Sequence, residues 1–132
     1  MGLGRLRLLV DTYIQTVRSG DSYARAFLLL WAESVSASPA LRAIFAERDQ
    51  QFTNEIINDL EAGRRQGTVH LGIDSVGTAA ALIAQLRGLA LQIIIAGDSF
   101  DAERVRDAIQ AGLFRSLSTE KTEKRAGNPG PE

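Results

Sequence analysis

The 132-residue sequence predicts an all-α fold: a five-helix bundle whose last two helices form a four-helix interface with a second copy of the chain. Three observations predict it. Apolar residues recur at intervals of three and four in five segments, and no stretch alternates apolar with polar as a half-buried strand does. Each segment is bracketed by residues that cap helices. The fourth segment is apolar on two opposite sides, so a small chain with four other helices covers only one of them.

The first helix is expected from about Leu3 to Arg18, with Leu6, Leu9, Val10, Tyr13, Ile14 and Val17 on one face. Ser19-Gly20-Asp21-Ser22 stops it: Gly20 suits a left-handed cap, and Asp21 or Ser22 suits the next N-cap. The second helix, about Ser22 to Ser36, is expected to bury Ala24, Phe27, Leu28, Trp31 and Val35. Ser38-Pro39 then opens a third, because the serine oxygen accepts an orphan amide and proline has none to lose. This helix runs to about Gln66 with Leu41, Ile44, Phe45, Phe52, Ile56 and Leu60 as its stripe, and Gly67 closes it. After a connection at Thr68 to Ile73, Asp74 or Ser75 caps a fourth helix, about Ser75 to Ala96, which Gly97 ends. Asp98-Ser99-Phe100-Asp101 leads into a fifth, about Ala102 to Leu117. From Ser118 to Glu132 there is no large apolar residue, which predicts a disordered tail behind a folded domain at 1–117.

The fourth helix carries the partner argument. At about 100° per residue, Gly77, Ala81, Ala84 and Gly88 fall on one narrow stripe, continued by Leu91 and Ile95. Leu82, Leu86, Leu89, Ala90 and Ile93 fall on roughly the opposite side. Small residues at this spacing let two helix backbones approach closely while large neighbours interlock. The fifth helix repeats the device, with Ala108, Gly112 and Ser116 flanked by Val105, Ile109, Leu113 and Leu117. Two such helices from each copy make a two-fold four-helix interface; internal packing of a monomeric bundle is the alternative.

Composition narrows the functional classes. Net charge is −1, without the clustered basic surface from which a nucleic-acid binder draws its non-specific affinity. No cysteine occurs, so no disulfide, thiolate metal site or cysteine nucleophile is available. The N-terminal Leu-Arg-Leu-Leu-Val run is broken by Asp11 and Tyr13 without a small-residue cleavage site, and a cytoplasmic protein is expected. The apolar run Ala79 to Ala96 carries Arg87 at its centre beside Gln85 and Gln92, so a buried helix is expected rather than a membrane span.

Phe27, Trp31, Phe45, Phe52, Ile56, Leu86 and Ile93 face inward from helices two to four and either line an apolar pocket or fill the core. Arg48, within the third helix's stripe, suits an acidic ligand group by bidentate hydrogen bonds, or it snorkels or pairs with a carboxylate. Tyr13 offers a hydroxyl to the same space, and Arg87 offers a cross-dimer or rim contact. His70 is the single histidine, with no recognisable partners, and Glu47, Asp49, Glu55, Asp59 and Glu61 read as a solvated face. No phosphate-cradling loop, nucleophile motif, metal set or cofactor motif is present, so a non-enzymatic role is expected.

The order of the motifs then matters. Glu61-Ala-Gly-Arg-Arg-Gln-Gly67-Thr-Val precedes an Asp-capped, Ala/Leu-rich helix containing Arg87-Gly-Leu-Ala-Leu91, and Ala108-Ile-x-x-Gly112-Leu-x-x-x-Leu117 follows. From about Leu3 to Leu117 the chain resembles the C-terminal half of a tetracycline-repressor (TetR) family transcriptional regulator. The resemblance implies an effector-binding domain that homodimerises through its last two helices and encloses a small, largely apolar ligand with the helices before them. The family carries a three-helix DNA-binding unit ahead of this region, whereas Met1 here leads almost directly into the first effector-domain helix. DNA contact is therefore expected only through a helix-turn-helix domain absent from this chain. A helical protein–protein interaction module without a small-molecule pocket is the alternative the same residues allow.

Overall fold

The computed structural model describes residues 2–36 and 38–119. Five helices follow in the order the caps dictate: α1 (Gly2–Arg18), α2 (Ser22–Glu33), α3 (Pro39–Gln66), α4 (Ser75–Ala96) and α5 (Ala102–Leu117). Each cap has a local cause. Asp21, Ser38, Asp74 and Asp101 accept from the amides of Ala24, Leu41, Gly77 and Arg104 at the starts of α2 to α5. Gly67 closes α3 at φ +78°, a conformation costly for any residue with a Cβ.

α2 ends earlier than its apolar periodicity predicts, at Glu33 rather than Ser36. The hydroxyls of Ser34 and Ser36 turn back onto the carbonyls of Trp31 and Glu33 at 2.6 and 3.2 Å, competing with continued helix. Val35 consequently lies outside the helix and is exposed rather than buried. Ile44 is likewise exposed on the third helix instead of joining its buried stripe.

The core is built by α1, α3 and α4 packing on one another, with α2 laid over α4 and α1, and α5 mainly over α1. α1 contributes Leu6, Val10, Ile14 and Val17, α3 contributes Ile56 and Leu60, and α4 contributes Ala79, Leu82, Leu86, Leu89, Ala90 and Ile93. These intervals of three and four are the buried stripes expected of amphipathic helices. α4 is long and apolar enough to cross a membrane by length and composition, yet this face of it forms the centre of the core.

The turn between α3 and α4 is pinned at both ends. Arg64 donates to the Ile73 carbonyl and to Ser75 Oγ, and Ser75 donates in turn to Glu61 Oε1 at 2.6 Å. Val69 then pairs with Ser118 in an isolated antiparallel bridge. Ser118 and Thr119, assigned to the tail by composition, are held in the fold: Ser118 is buried and the Thr119 hydroxyl donates to the Gly67 carbonyl at 2.9 Å. Residues 120–132, the rest of the expected tail, lie outside the described residues.

Gly63 is where this turn leaves no room. A Cβ there would sit 2.6 Å from Val69 Cγ2 and 3.2 Å from Thr68 Oγ1. Gly63→Ala is therefore expected to lower the unfolding free energy by about 1–3 kcal/mol, although alanine is the better helix former. Urea denaturation checks this, and an unchanged or raised midpoint would contradict the packing described.

Candidate functional site

A cleft of about 790 Å³ opens between α1, α2 and α3. α1 lines it with Leu8, Leu9, Thr12, Tyr13 and Val17, α2 with Tyr23, Ala24, Phe27 and Leu28, and α3 with Arg48, Phe52, Glu55 and Asp59. Arg87 reaches the cleft from α4. The large surfaces are aromatic and aliphatic, with a few polar groups between them, the composition of a small-molecule site. Leu8 and Tyr23 are exposed, so the cleft communicates with solvent along them.

Arg87 organises one end of this space. Its Nη2 donates to Asp49 Oδ1 at 2.9 Å and its Nη1 to the Tyr13 hydroxyl at 3.0 Å. The other oxygen of Asp49 accepts from Trp31 Nε1 at 2.8 Å. Three rings surround the guanidinium, with centres 5.0 Å (Phe27), 5.5 Å (Trp31) and 5.8 Å (Tyr13) from Cζ. Phe27 is itself held edge-on by Phe45 at 5.4 Å. One hydrogen-bonded group thus ties α1, α2, α3 and α4 together through Tyr13, Trp31, Asp49 and Arg87. The side chain of Arg87 is only 9% exposed, and its Nε has no hydrogen-bond partner among the described residues. Leaving a buried polar group unpaired costs about 1–3 kcal/mol, so such a group is retained against a stability gradient.

Tyr13 reports on this environment. Burial pushes its hydroxyl above the ordinary value of 10.0, while the charge and hydrogen bond of Arg87 pull the other way and Asp49 adds a smaller upward push. A group whose folded pKa is raised holds its proton longer in the folded state than in the unfolded one. Its contribution to stability is complete below pH 10.0 and is lost as the pH climbs through the raised folded value. We expect the stability of the chain to fall more steeply above pH 10 than that of Tyr13→Phe, as measured by denaturation midpoints at successive pH values. Parallel profiles would contradict it.

The residues expected to contact a ligand divide into three groups. Tyr13, Phe27, Arg48 and Phe52 line the cleft. Trp31 and Phe45 stand behind it, bracing Asp49 and Phe27. Ile56, Leu86 and Ile93 are buried among the core side chains and are not on the cleft lining. Arg87, expected at a rim or across a dimer, is instead an internal partner of Asp49. Asp49 and Asp59, expected on a solvated face, are also drawn inward. Asp59 is 8% exposed and pairs with Arg5 at 3.3 Å. Their spacing carries the missed signal, because Phe45, Asp49, Phe52, Ile56 and Asp59 follow one another at four, three, four and three along α3. The contributions of α1 and α2 beyond Tyr13 and Phe27 had no comparable sequence mark.

A second surface lies on the far side of α4. Gly77, Ala81, Ala84, Gly88 and Ile95 are exposed there and Leu91 is half-buried, while the opposite face is core. Gly77 has a reason within the chain, since a Cβ there would collide with the carboxylate of its own cap, Asp74. Gly88 and Gly112 have no such reason: among the described residues no atom beyond their own helix backbone lies within 4 Å of a Cβ built at either. On α5, Ala108 and Ser116 are exposed, Gly112 is half-buried, and Val105, Ile109 and Leu113 pack partly on the chain's own core. Leu117, expected to flank the stripe, is fully buried in that core. The Ser116 hydroxyl is satisfied inside its helix by the carbonyls of Gly112 and Leu113.

Among the described residues no group of three or more His, Asp or Glu is placed to hold a metal ion. The backbone N–H of His70 donates to the Leu117 carbonyl at 3.0 Å. No curated protein and no solved structure registers as a match to this chain. A family profile described as "BetI-type transcriptional repressor, C-terminal" matches residues 3–118, which include all five helices apart from Gly2. With that span matched on an all-helical fold, the chain belongs to the C-terminal regulatory domains of BetI-type, TetR-family transcriptional repressors.

Proposed function

We propose that this domain senses a small, largely apolar effector in the cleft between α1, α2 and α3 and homodimerises through α4 and α5. The observation that carries the reading is the cleft itself, walled by aromatic and aliphatic side chains with a few charged groups between them and bounded at one end by the Arg87–Asp49–Tyr13–Trp31 group. A ligand seated there touches side chains on four helices, so it has a direct means of favouring one helix arrangement over another. In an intact regulator that choice would change the spacing of two DNA-binding units across the dimer, DNA contact being made by a helix-turn-helix domain and not by the residues described. The role is non-catalytic and cytoplasmic.

A thermal-shift screen tests the sensing half. A ligand that binds only the folded state at a hundred times its Kd adds about 2.7 kcal/mol, several degrees of Tm for a domain of this size. We expect such a shift from an apolar small molecule, and its loss in Ala24→Trp, which places an indole in the cleft. If no member of a broad apolar library shifts Tm, the sensing reading falls. The helical interaction module then stands in its place, a reading that the exposed Leu29, Leu30 and Val35 favour.

A further inference from the structure

We infer that the cleft takes an amphipathic organic carboxylate, with its anionic group at the Phe27 end between Arg48 and Arg87 and its apolar body against Phe52 and Leu9. This rests on the reading of the cleft as an effector site and goes on to name the chemistry of the effector.

The charge balance at that end is the first ground. Two guanidinium groups share the Phe27 ring, Arg87 at 5.0 Å and Arg48 at 5.7 Å from its centre. Arg87 is paired with Asp49, whereas Arg48 makes no ion pair among the described residues. Two cations therefore stand against one carboxylate, leaving a local excess of one positive charge beside an apolar wall. The second ground is the incomplete bonding of Arg87. Asp49 divides its two oxygens between Arg87 and Trp31, so it meets the guanidinium through one oxygen rather than as a fork. Nε is left without an acceptor on a side chain that is nine-tenths buried and lines the cleft. A guanidinium presents its donors as a planar fork that matches a carboxylate, so an entering carboxylate completes what Asp49 leaves open.

The other charged groups of the cleft lining are Arg5, Asp21, Glu55 and Asp59. Asp59 is held by Arg5 at 3.3 Å, and Asp21 is occupied in capping α2 through the Ala24 amide at 2.9 Å. Glu55 is two turns beyond Arg48 on α3, about 10 Å along the axis. Along α3 the cleft thus runs from Arg48, beside the Phe27 ring, to Glu55, with Phe52 between. Among the described residues Glu55 makes no ion pair. A carboxylate with an apolar body of that length is oriented by the gradient, and a cation of the same shape is turned away from Phe27. Arg87 already donates from Nη1 to the Tyr13 hydroxyl, so a carboxylate that engages this guanidinium acts on α1 and α4 together.

The experiment uses two matched sets on the full chain: 4-phenylbutyrate, 4-phenylbutanol and 4-phenylbutylamine, then octanoate, octanol and octylamine. Affinities come from calorimetry or from concentration-dependent Tm. The carboxylate of each set is expected to bind at least about tenfold more tightly than its alcohol, and the amine more weakly still. Arg48→Gln, an exposed position that leaves the Arg87–Asp49 pair in place, is expected to remove most of that preference by weakening the carboxylates much more than the alcohols. Arg48→Lys is expected to restore part of it. Alcohols or amines binding as well as the carboxylates would overturn the inference and leave the effector reading standing. A carboxylate preference indifferent to Arg48→Gln would also overturn the placement. Failure of all six molecules would overturn the inference, while the effector reading stands or falls on the broad apolar library.

Discussion

Asp49→Ala is expected to destabilise the domain by about 2–4 kcal/mol, among the largest effects of any single change at a charged position. Among the described residues the carboxylate is the one ion-pair partner of a guanidinium whose side chain is 9% exposed, and removing it strands that charge among Phe27, Trp31 and Tyr13. Breaking a buried pair by deleting one member costs about 3–5 kcal/mol, and the lower figure adopted here allows for the 27% exposure of the Asp49 side chain. Trp31 Nε1 loses its acceptor in the same change. The double substitution Asp49→Ala, Arg87→Met removes the charge along with its partner, so it is expected to be less destabilised than Asp49→Ala alone. Urea denaturation of the two single variants and the double closes the cycle. Additive losses would mean that the two groups do not act as a unit, and the four-helix node would lose its energetic basis.

The second large effect concerns association. Gly88→Leu with Gly112→Leu is expected to raise the dimer dissociation constant at least about a hundredfold, nearly 3 kcal/mol, while leaving each chain folded. Both glycines have open space around a Cβ within one chain, so the isolated fold tolerates side chains there. Against a second copy the same side chains hold two helix backbones apart. Replacing helical glycine by a better helix former favours the monomer, which makes the two results separable. Far-ultraviolet circular dichroism reports the helix content and sedimentation reports the mass. A double variant that remains as tightly associated as the unmodified chain would show that these stripes are not the contact surface.

What was legible in the sequence follows from what kind of signal each feature has. The ends of α3, α4 and α5 were readable because Ser38-Pro39, Gly67, Asp74, Gly97 and Asp101 act within one turn of themselves. The end of α2 was not, because two serine hydroxyls bonding backward win against an apolar spacing that runs on to Val35. The two faces of α4 were readable from angle alone, and Leu82, Leu86, Leu89, Ala90 and Ile93 are all buried. Burial by angle does not say what a buried side chain faces. Ile56, Leu86 and Ile93 share the inward direction of Phe52 and Phe27 but fill the core, since the cleft lies between α1, α2 and α3 and not around α4. The Arg87–Asp49 pair joins residues 38 apart in sequence, and a charged residue read one at a time defaults to solvent. Both residues nevertheless stand at positions in apolar periodicities where a charge needs a partner. Arg87 falls between Ile83 and Ala90, and Asp49 between Phe45 and Phe52.

The claim on which the regulatory reading most depends is that the exposed apolar face of α4, with the small stripe of α5, is covered by a second copy of the same chain. Sedimentation equilibrium of the unmodified chain at about 10 μM tests it directly, since this is well above the Kd that a standard-size interface commonly has. The account predicts a mass twice the 14.3 kDa of one chain. A single species at 14.3 kDa at that concentration would contradict it, and the surface carrying Ala81, Ala84 and Gly88 would need another partner.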